Sequence, residues 1–124
     1  MVILDCSLVT IGKRGESSIP QHYLLMTIAN GCPVMFGPFV SIFAATHETE
    51  VQSRRDNVEY AREVSIGDDC WIGGHVTILP GVTIGEGCTI AAGSIVTKDV
   101  PPFSVAMGQP ARVVKKVTPV DPMD

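Results

Sequence analysis

The sequence predicts an all-β fold, a parallel β-helix in which short strands wind into a three-sided coil. Three observations carry this. Ile66, Ile72, Ile78, Ile84, Ile90 and Val96 stand six residues apart without a slip. The fifth residue of each six-residue block is small or β-branched: Cys70, Val76, Val82, Cys88, Ser94 and Val100. Of the 12 glycines and 9 prolines in the 124 residues, 8 glycines and 4 prolines fall from Ile66 to Pro110, where they punctuate a pattern instead of forming a linker. A helix would bring apolar residues back at three and four places, which this pattern does not do. A period of six fits short strands with a turn after each. Three blocks then make an 18-residue coil that stacks on the next at the inter-strand spacing of roughly 4.8 Å. The leading aliphatic fills the interior, the fifth residue packs beside it near a corner, and the sixth points outward. Gly67, Gly73, Gly81 and Gly85 fall at the turns, where a Cβ is resisted.

Taken in chain order, two blocks precede the regular run. Val34–Phe39 and Val40–Ala45 fit the period with Val34 and Val40 leading and Pro38 and Ala44 in fifth place. Phe36 and Ile42 serve equally well as leaders, so the frame is open between the two. The period then breaks into a polar stretch, ETEVQSRRDNVEYARE, read as a loop leaving a rigid coil. Ile66 to Pro101 is two full coils. Residues 1–116 form one β-helical domain and 117–124 a C-terminal tail. Residues 15–33 (GESSIPQHYLLMTIANGCP) have no hexapeptide character, and joining Arg14 to Val34 would restore a continuous repeat. A translated intron of nineteen codons is one origin for such a segment, since its ends and Ala-Asn can be written with splice-site codons. A surface loop of that length is the other.

Composition excludes several classes. The 9 Lys+Arg against 13 Asp+Glu give a net charge of −4, without the basic footprint of a general nucleic-acid binder. Aromatics at 6% are too few for base-stacking platforms. No apolar run approaches a membrane span and the start carries no basic n-region, so a cytoplasmic location is expected.

His47 is the main candidate for chemistry. It follows Ala44-Ala45-Thr46 where the coil breaks into the loop, and a neutral imidazole can take a proton from an attacking hydroxyl. The Gly73-Gly74 turn offers backbone N–H groups to a developing oxyanion. Trp71, the single tryptophan, fills an outward sixth position, suited to a pocket wall or to a subunit interface. Residues 98–116 hold Lys98, Arg112, Lys115 and Lys116 against Asp99, so a basic end sits on a more acidic remainder and suits a ligand with several phosphates. Arg54 and Arg55 read as a solvated charge run. Cys70 and Cys88 lie 18 apart, one above the other in adjacent coils, and are expected as buried thiols. No H-x4-H pair occurs and His47 and His75 are 28 apart, so no metal is expected.

The hexapeptide pattern, together with FGPFVSIFAATHETE, IGDDCWIGGHVTILPGVTIGEGCTIAAGSIVTKDVPP and GQPARVV, resembles the maltose/galactoside O-acetyltransferase family over about residues 2–14 and 34–116. The resemblance implies a left-handed parallel β-helix, a homotrimer, and transfer of an acetyl group from acetyl-CoA to a sugar hydroxyl. It places His47 as the general base and Gly74 as an oxyanion amide. Asp5, or Cys6 in its place, and Glu59 would contact the acceptor. Ala92, Thr97, Lys98, Arg112 and Lys115 would contact acetyl-CoA, Lys115 standing where relatives often carry arginine. Members of the family usually have a helical segment and further coils ahead of the stretch that starts here, and those coils supply part of the acceptor pocket. A catalytically inactive trimeric scaffold is the rival reading.

Overall fold

A computed structural model describes the backbone at residues 2–4, 9–11 and 34–121 and the side chains from Val34 to Asp121. The strands are β1 (Val2–Leu4), β2 (Val9–Ile11), β3 (Met35–Phe36), β4 (Val40–Ile42), β5 (Ala45–Thr46), β6 (Tyr60–Ala61), β7 (Val64–Ile66), β8 (Trp71–Ile72), β9 (Thr77–Ile78), β10 (Thr83–Ile84), β11 (Thr89–Ile90), β12 (Ile95–Val96), β13 (Ser104–Gly108) and β14 (Ala111–Lys116). The short helix α1 (Val51–Arg55) interrupts them. Among the described residues no helix is long and apolar enough to cross a membrane.

Three parallel sheets form the faces of the coil. The first face stacks β1, β4, β9 and β12, and the second stacks β2, β7 and β10, with Val100 bridging to Ile84. The third stacks β3, β8, β11 and β13, and β14 turns back antiparallel along β13. Trp71 pairs with Thr89, Thr77 with Ile95, and Ser65 with Thr83, so each coil is 18 residues. Short strands suffice because every coil hydrogen-bonds its neighbours, as in Trp71 N–H to Cys88 O (2.9 Å) and Thr77 N–H to Ser94 O (3.0 Å).

The core is the repeat itself. Ile66, Ile72, Ile78, Ile84, Ile90 and Val96 are buried, as are the fifth residues Cys70, Val76, Val82, Cys88, Ser94 and Val100. Phe36 stands in register with Ile72, and Ile42 with Ile78. The early blocks therefore lead with Phe36 and Ile42, while Val34 and Val40 take the inward fifth place at 1% and 0% exposure. Pro38, on the discarded frame an inward residue, is exposed at a corner. Coils approach closely where the turns carry glycine. A Cβ on Gly73 would lie 2.6 Å from Ala92 N in the next coil, and one on Gly85 2.6 Å from Pro102 N.

Register also measures what leaves the coil. Ile11 and Phe36 stand opposite Ile66 and Ile72, which are six apart, yet they are 25 apart in the chain. Nineteen residues between them are surplus to the coil, the number in the segment 15–33. That segment itself lies outside the described residues, as do Asp5 and Cys6. A second excursion is visible. Ile42 and Ile66 stand opposite Ile78 and Ile84, six apart, but are 24 apart in sequence, so 18 residues leave the coil and return. They leave through the antiparallel stem of β5 and β6, where Ala45 pairs with Ala61 and Thr46 with Tyr60.

Candidate active-site groove

The second excursion builds the site. Its stem starts at the edge between the first and second faces, where Arg62 N–H donates to Ala44 O (2.8 Å) and Gly81 N–H to Arg62 O (3.2 Å). Beyond Thr46 the chain runs through His47 to α1, whose five residues end at Arg55 with Asp56 as the C-cap. Asn57 then takes a left-handed conformation (φ 57°), which asparagine tolerates better than most residues. This reversal returns Val58 alongside His47.

His47 Nδ1 lies 2.9 Å from the Val58 carbonyl oxygen. A carbonyl can only accept, so in the neutral ring Nδ1 holds the proton and Nε2 keeps its lone pair. The imidazole is exposed to a groove of about 640 Å³, within the usual range for small-molecule sites. Thr46, Glu48, Thr49, Glu50, Tyr60 and Arg62 line it from the excursion. Leu79, Pro80 and Thr97 line it from the same edge of later coils. The Tyr60 hydroxyl donates to Glu48 Oε1 at 3.0 Å. That bond and the carboxylate charge raise the phenol above its ordinary pKa.

The residues expected from sequence fall in three places. His47 and Thr97 share the groove, with Lys98 exposed next to Thr97 and Glu59 exposed between Val58 and Tyr60; neither Lys98 nor Glu59 lines the groove. Gly74 and Ala92 stand on a different edge, between the third and first faces. There Gly93 N–H donates to Gly74 O (2.9 Å) and His75 N–H to Pro38 O (2.9 Å). Trp71 is on the third face, 54% exposed, paired between Met35 and Thr89. Arg112 and Lys115 are exposed on β14, opposite Met107 and Val105, while Lys116 Nζ donates to Ser104 Oγ at 2.7 Å. Asp99 Oδ1 accepts the Thr83 N–H (2.9 Å). Lys98 follows β12 of the first face, whereas Arg112, Lys115 and Lys116 lie on β14 beside the third face. The first face lies between the edge that carries the His47 stem and the edge that carries Gly74.

Sequence reasoning missed Glu48, Tyr60, Arg62 and Leu79. The polar stretch has no period to announce its pairing. Only the Thr46–Tyr60 register brings Tyr60 across to Glu48.

Cys70 and Cys88 are free and buried, as expected. Their thiols donate to the carbonyls of Gly85 and Pro101, both at 3.1 Å. The neighbouring Cys88 sulfur and burial together push the Cys70 thiol above its ordinary range. Among the described residues no three His, Cys, Asp or Glu side chains converge as a metal site.

Comparison with known proteins bears on all of this. Residues 63–98 match the family described as bacterial transferase hexapeptide (six repeats). A Schizosaccharomyces pombe protein named "Putative acetyltransferase C18B11.09c" is 45% identical over 112 residues, covering 88% of this chain and 53% of its own length. Among solved structures, a maltose O-acetyltransferase from Clostridium difficile 630 superposes with a TM-score of 0.68 at 51% identity, over 69% of this chain and 46% of the other. A galactoside acetyltransferase in complex with coenzyme A gives 0.66 at 44% identity, over 68% of this chain and 42% of the other. The chain thus spans about half the length of these relatives.

Proposed function

The chain belongs to the hexapeptide-repeat acyltransferase family, and from that premise we propose that it moves an acetyl group from acetyl-CoA to a hydroxyl of a sugar or related small acceptor. His47 is the general base. The observation that carries this is the His47 Nδ1–Val58 carbonyl bond, which orients the ring and leaves Nε2 basic in a groove lined by hydroxyl and carboxylate groups. Nε2 takes the acceptor hydroxyl proton as its oxygen attacks the thioester carbonyl. A C–O bond forms, the C–S bond breaks, and the imidazolium returns its proton to the departing thiolate. No covalent intermediate on the enzyme and no metal is required.

Coenzyme A suits the residues outside the groove. At Gly93 a side-chain carbon would meet nothing within 4 Å, so the edge at Ala92–Gly93 is open to a slender thioester arm. Thr97, Lys98, Arg112 and Lys115 supply hydrogen-bond donors and positive charge for phosphates, Lys115 as a point charge without arginine's bidentate fork. The Gly74 amide serves the oxyanion, and Asp5, Glu59 and Trp71 serve the acceptor.

The His47 stem and Gly74 stand on different edges of the chain with the first face between them, and a single site that uses both would take them from two chains. We therefore propose a homotrimer of left-handed β-helices, each groove facing the Gly74 edge of a neighbour. The same reading places the protein in the cytoplasm, where a reducing environment keeps Cys70 and Cys88 as thiols.

The test is release of free thiol from acetyl-CoA with a panel of sugars, followed by mixing of variants. His47→Ala and Gly74→Val are each expected to be inactive. After subunit exchange, mixed assemblies contain sites with both native residues, and part of the activity returns. Activity of His47→Ala equal to the native protein defeats the base assignment. No recovery on mixing defeats the shared site, and no thiol release with any acceptor favours the scaffold reading.

A further inference from the structure

Glu48 follows the proposed base directly, yet neither catalysis nor the fold accounts for its position. An exposed glutamate on a loop normally samples many rotamers, and fixing it has an entropic cost. Here the Tyr60 hydroxyl reaches across the stem and donates to Glu48 Oε1 at 3.0 Å. Tyr60 is itself placed by the pairing of its strand with Thr46. Both side chains line the groove that holds His47, and Thr46, Thr49, Glu50, Arg62 and Thr97 make up the rest of its polar walls. The phenol spends its one proton on Oε1. Oε2 and the remaining lone pairs are left to accept from whatever enters beside His47.

We propose that Glu48, held by Tyr60, is the residue that selects the acceptor: it accepts hydrogen bonds from hydroxyls neighbouring the one to be acetylated and turns away acceptors with a negative charge at that point. This rests on the acetyltransferase reading. A carboxylate that accepts from two adjacent hydroxyls recognises a vicinal diol, and the same charge repels a carboxylate or phosphate on the sugar. Tyr60 is a positioning residue and acts only through Glu48. With its proton held more tightly than in a free phenol, it remains a donor throughout the neutral range.

The experiment compares the native chain with Glu48→Gln and Tyr60→Phe, using neutral hexosides, an amino sugar, and a hexose phosphate or uronic acid. Glu48→Gln keeps the shape and removes the charge. Its expected effect is a rise of roughly tenfold or more in acceptor KM for neutral sugars, the loss that goes with a charge-assisted hydrogen bond. The kcat and the KM for acetyl-CoA are expected to change little, and the penalty against anionic acceptors to shrink by a similar factor. Tyr60→Phe leaves the charge but frees the carboxylate, so a smaller rise in acceptor KM is expected with the penalty against anions retained. Equilibrium binding of the same sugars, measured with coenzyme A present, gives a readout that does not depend on turnover. Native binding that Glu48→Gln weakens supports the proposal even without turnover. Native turnover with an unchanged neutral-to-anionic ratio in Glu48→Gln overturns it and leaves the acetyltransferase reading intact. Neither binding nor turnover in the native protein overturns both.

Discussion

Replacing Ile78 with alanine isolates the energetics of the coil. Ile78 is fully buried and stands in register between Ile42 in the coil before and Val96 in the coil after. The substitution removes three buried carbons, worth about 2.4 kcal/mol at ~0.8 kcal/mol each. Neighbours on both sides belong to hydrogen-bonded strands and cannot collapse into the gap, so a cavity term brings the total to about 3–4 kcal/mol, inside the 2–5 kcal/mol span for such truncations. Ile78→Val, which removes one carbon, should cost about 1 kcal/mol. Urea unfolding followed by far-ultraviolet circular dichroism measures both at fixed protein concentration, because association adds its own stability. A loss below about 1 kcal/mol for Ile78→Ala would refute the reasoning. It would mean that the stacked aliphatics do not pack as one core, or that the end coils unfold independently of the middle.

Further predictions follow from the same geometry. His47→Ala should reduce turnover by about 10²- to 10⁴-fold with little change in unfolding midpoint, measured by thiol release and thermal melting. Tyr60 should ionise above pH 10, and Glu48→Gln should bring its 295 nm titration back toward that value. The sign is that of a raised pKa, so any stability carried by the pair is present below pH 10 and disappears as pH climbs through the folded value. Cys70 and Cys88 should resist alkylation until the coil unfolds, since both thiols are buried and hydrogen-bonded. Gly73→Ala should lower the melting temperature, because its Cβ would meet the Ala92 backbone at 2.6 Å and push two coils apart.

The sequence determined the inside of this protein. A six-residue repeat is local, and each block states which side chain turns inward, so Ile66 to Val100 were readable without any knowledge of neighbours. The surplus of residues between Ile11 and Phe36 was readable for the same reason, since a strict period exposes whatever interrupts it. The frame of Val34–Ala45 was not, because Val34 and Phe36, like Val40 and Ile42, are apolar pairs two residues apart. Only register against Ile72 and Ile78 decided that Phe36 and Ile42 lead. The groove was less legible still. Thr46–Arg62 has no period, and its shape depends on a hairpin stem, a left-handed Asn57 and contact with an edge built from distant coils. His47 was visible as a residue type at a break in the pattern. Its partner Val58, the Glu48–Tyr60 pair, and its separation from Gly74 were decided by the tertiary structure alone. A repeat fixes which way side chains point. It leaves to non-local pairing which edge of the prism each one occupies.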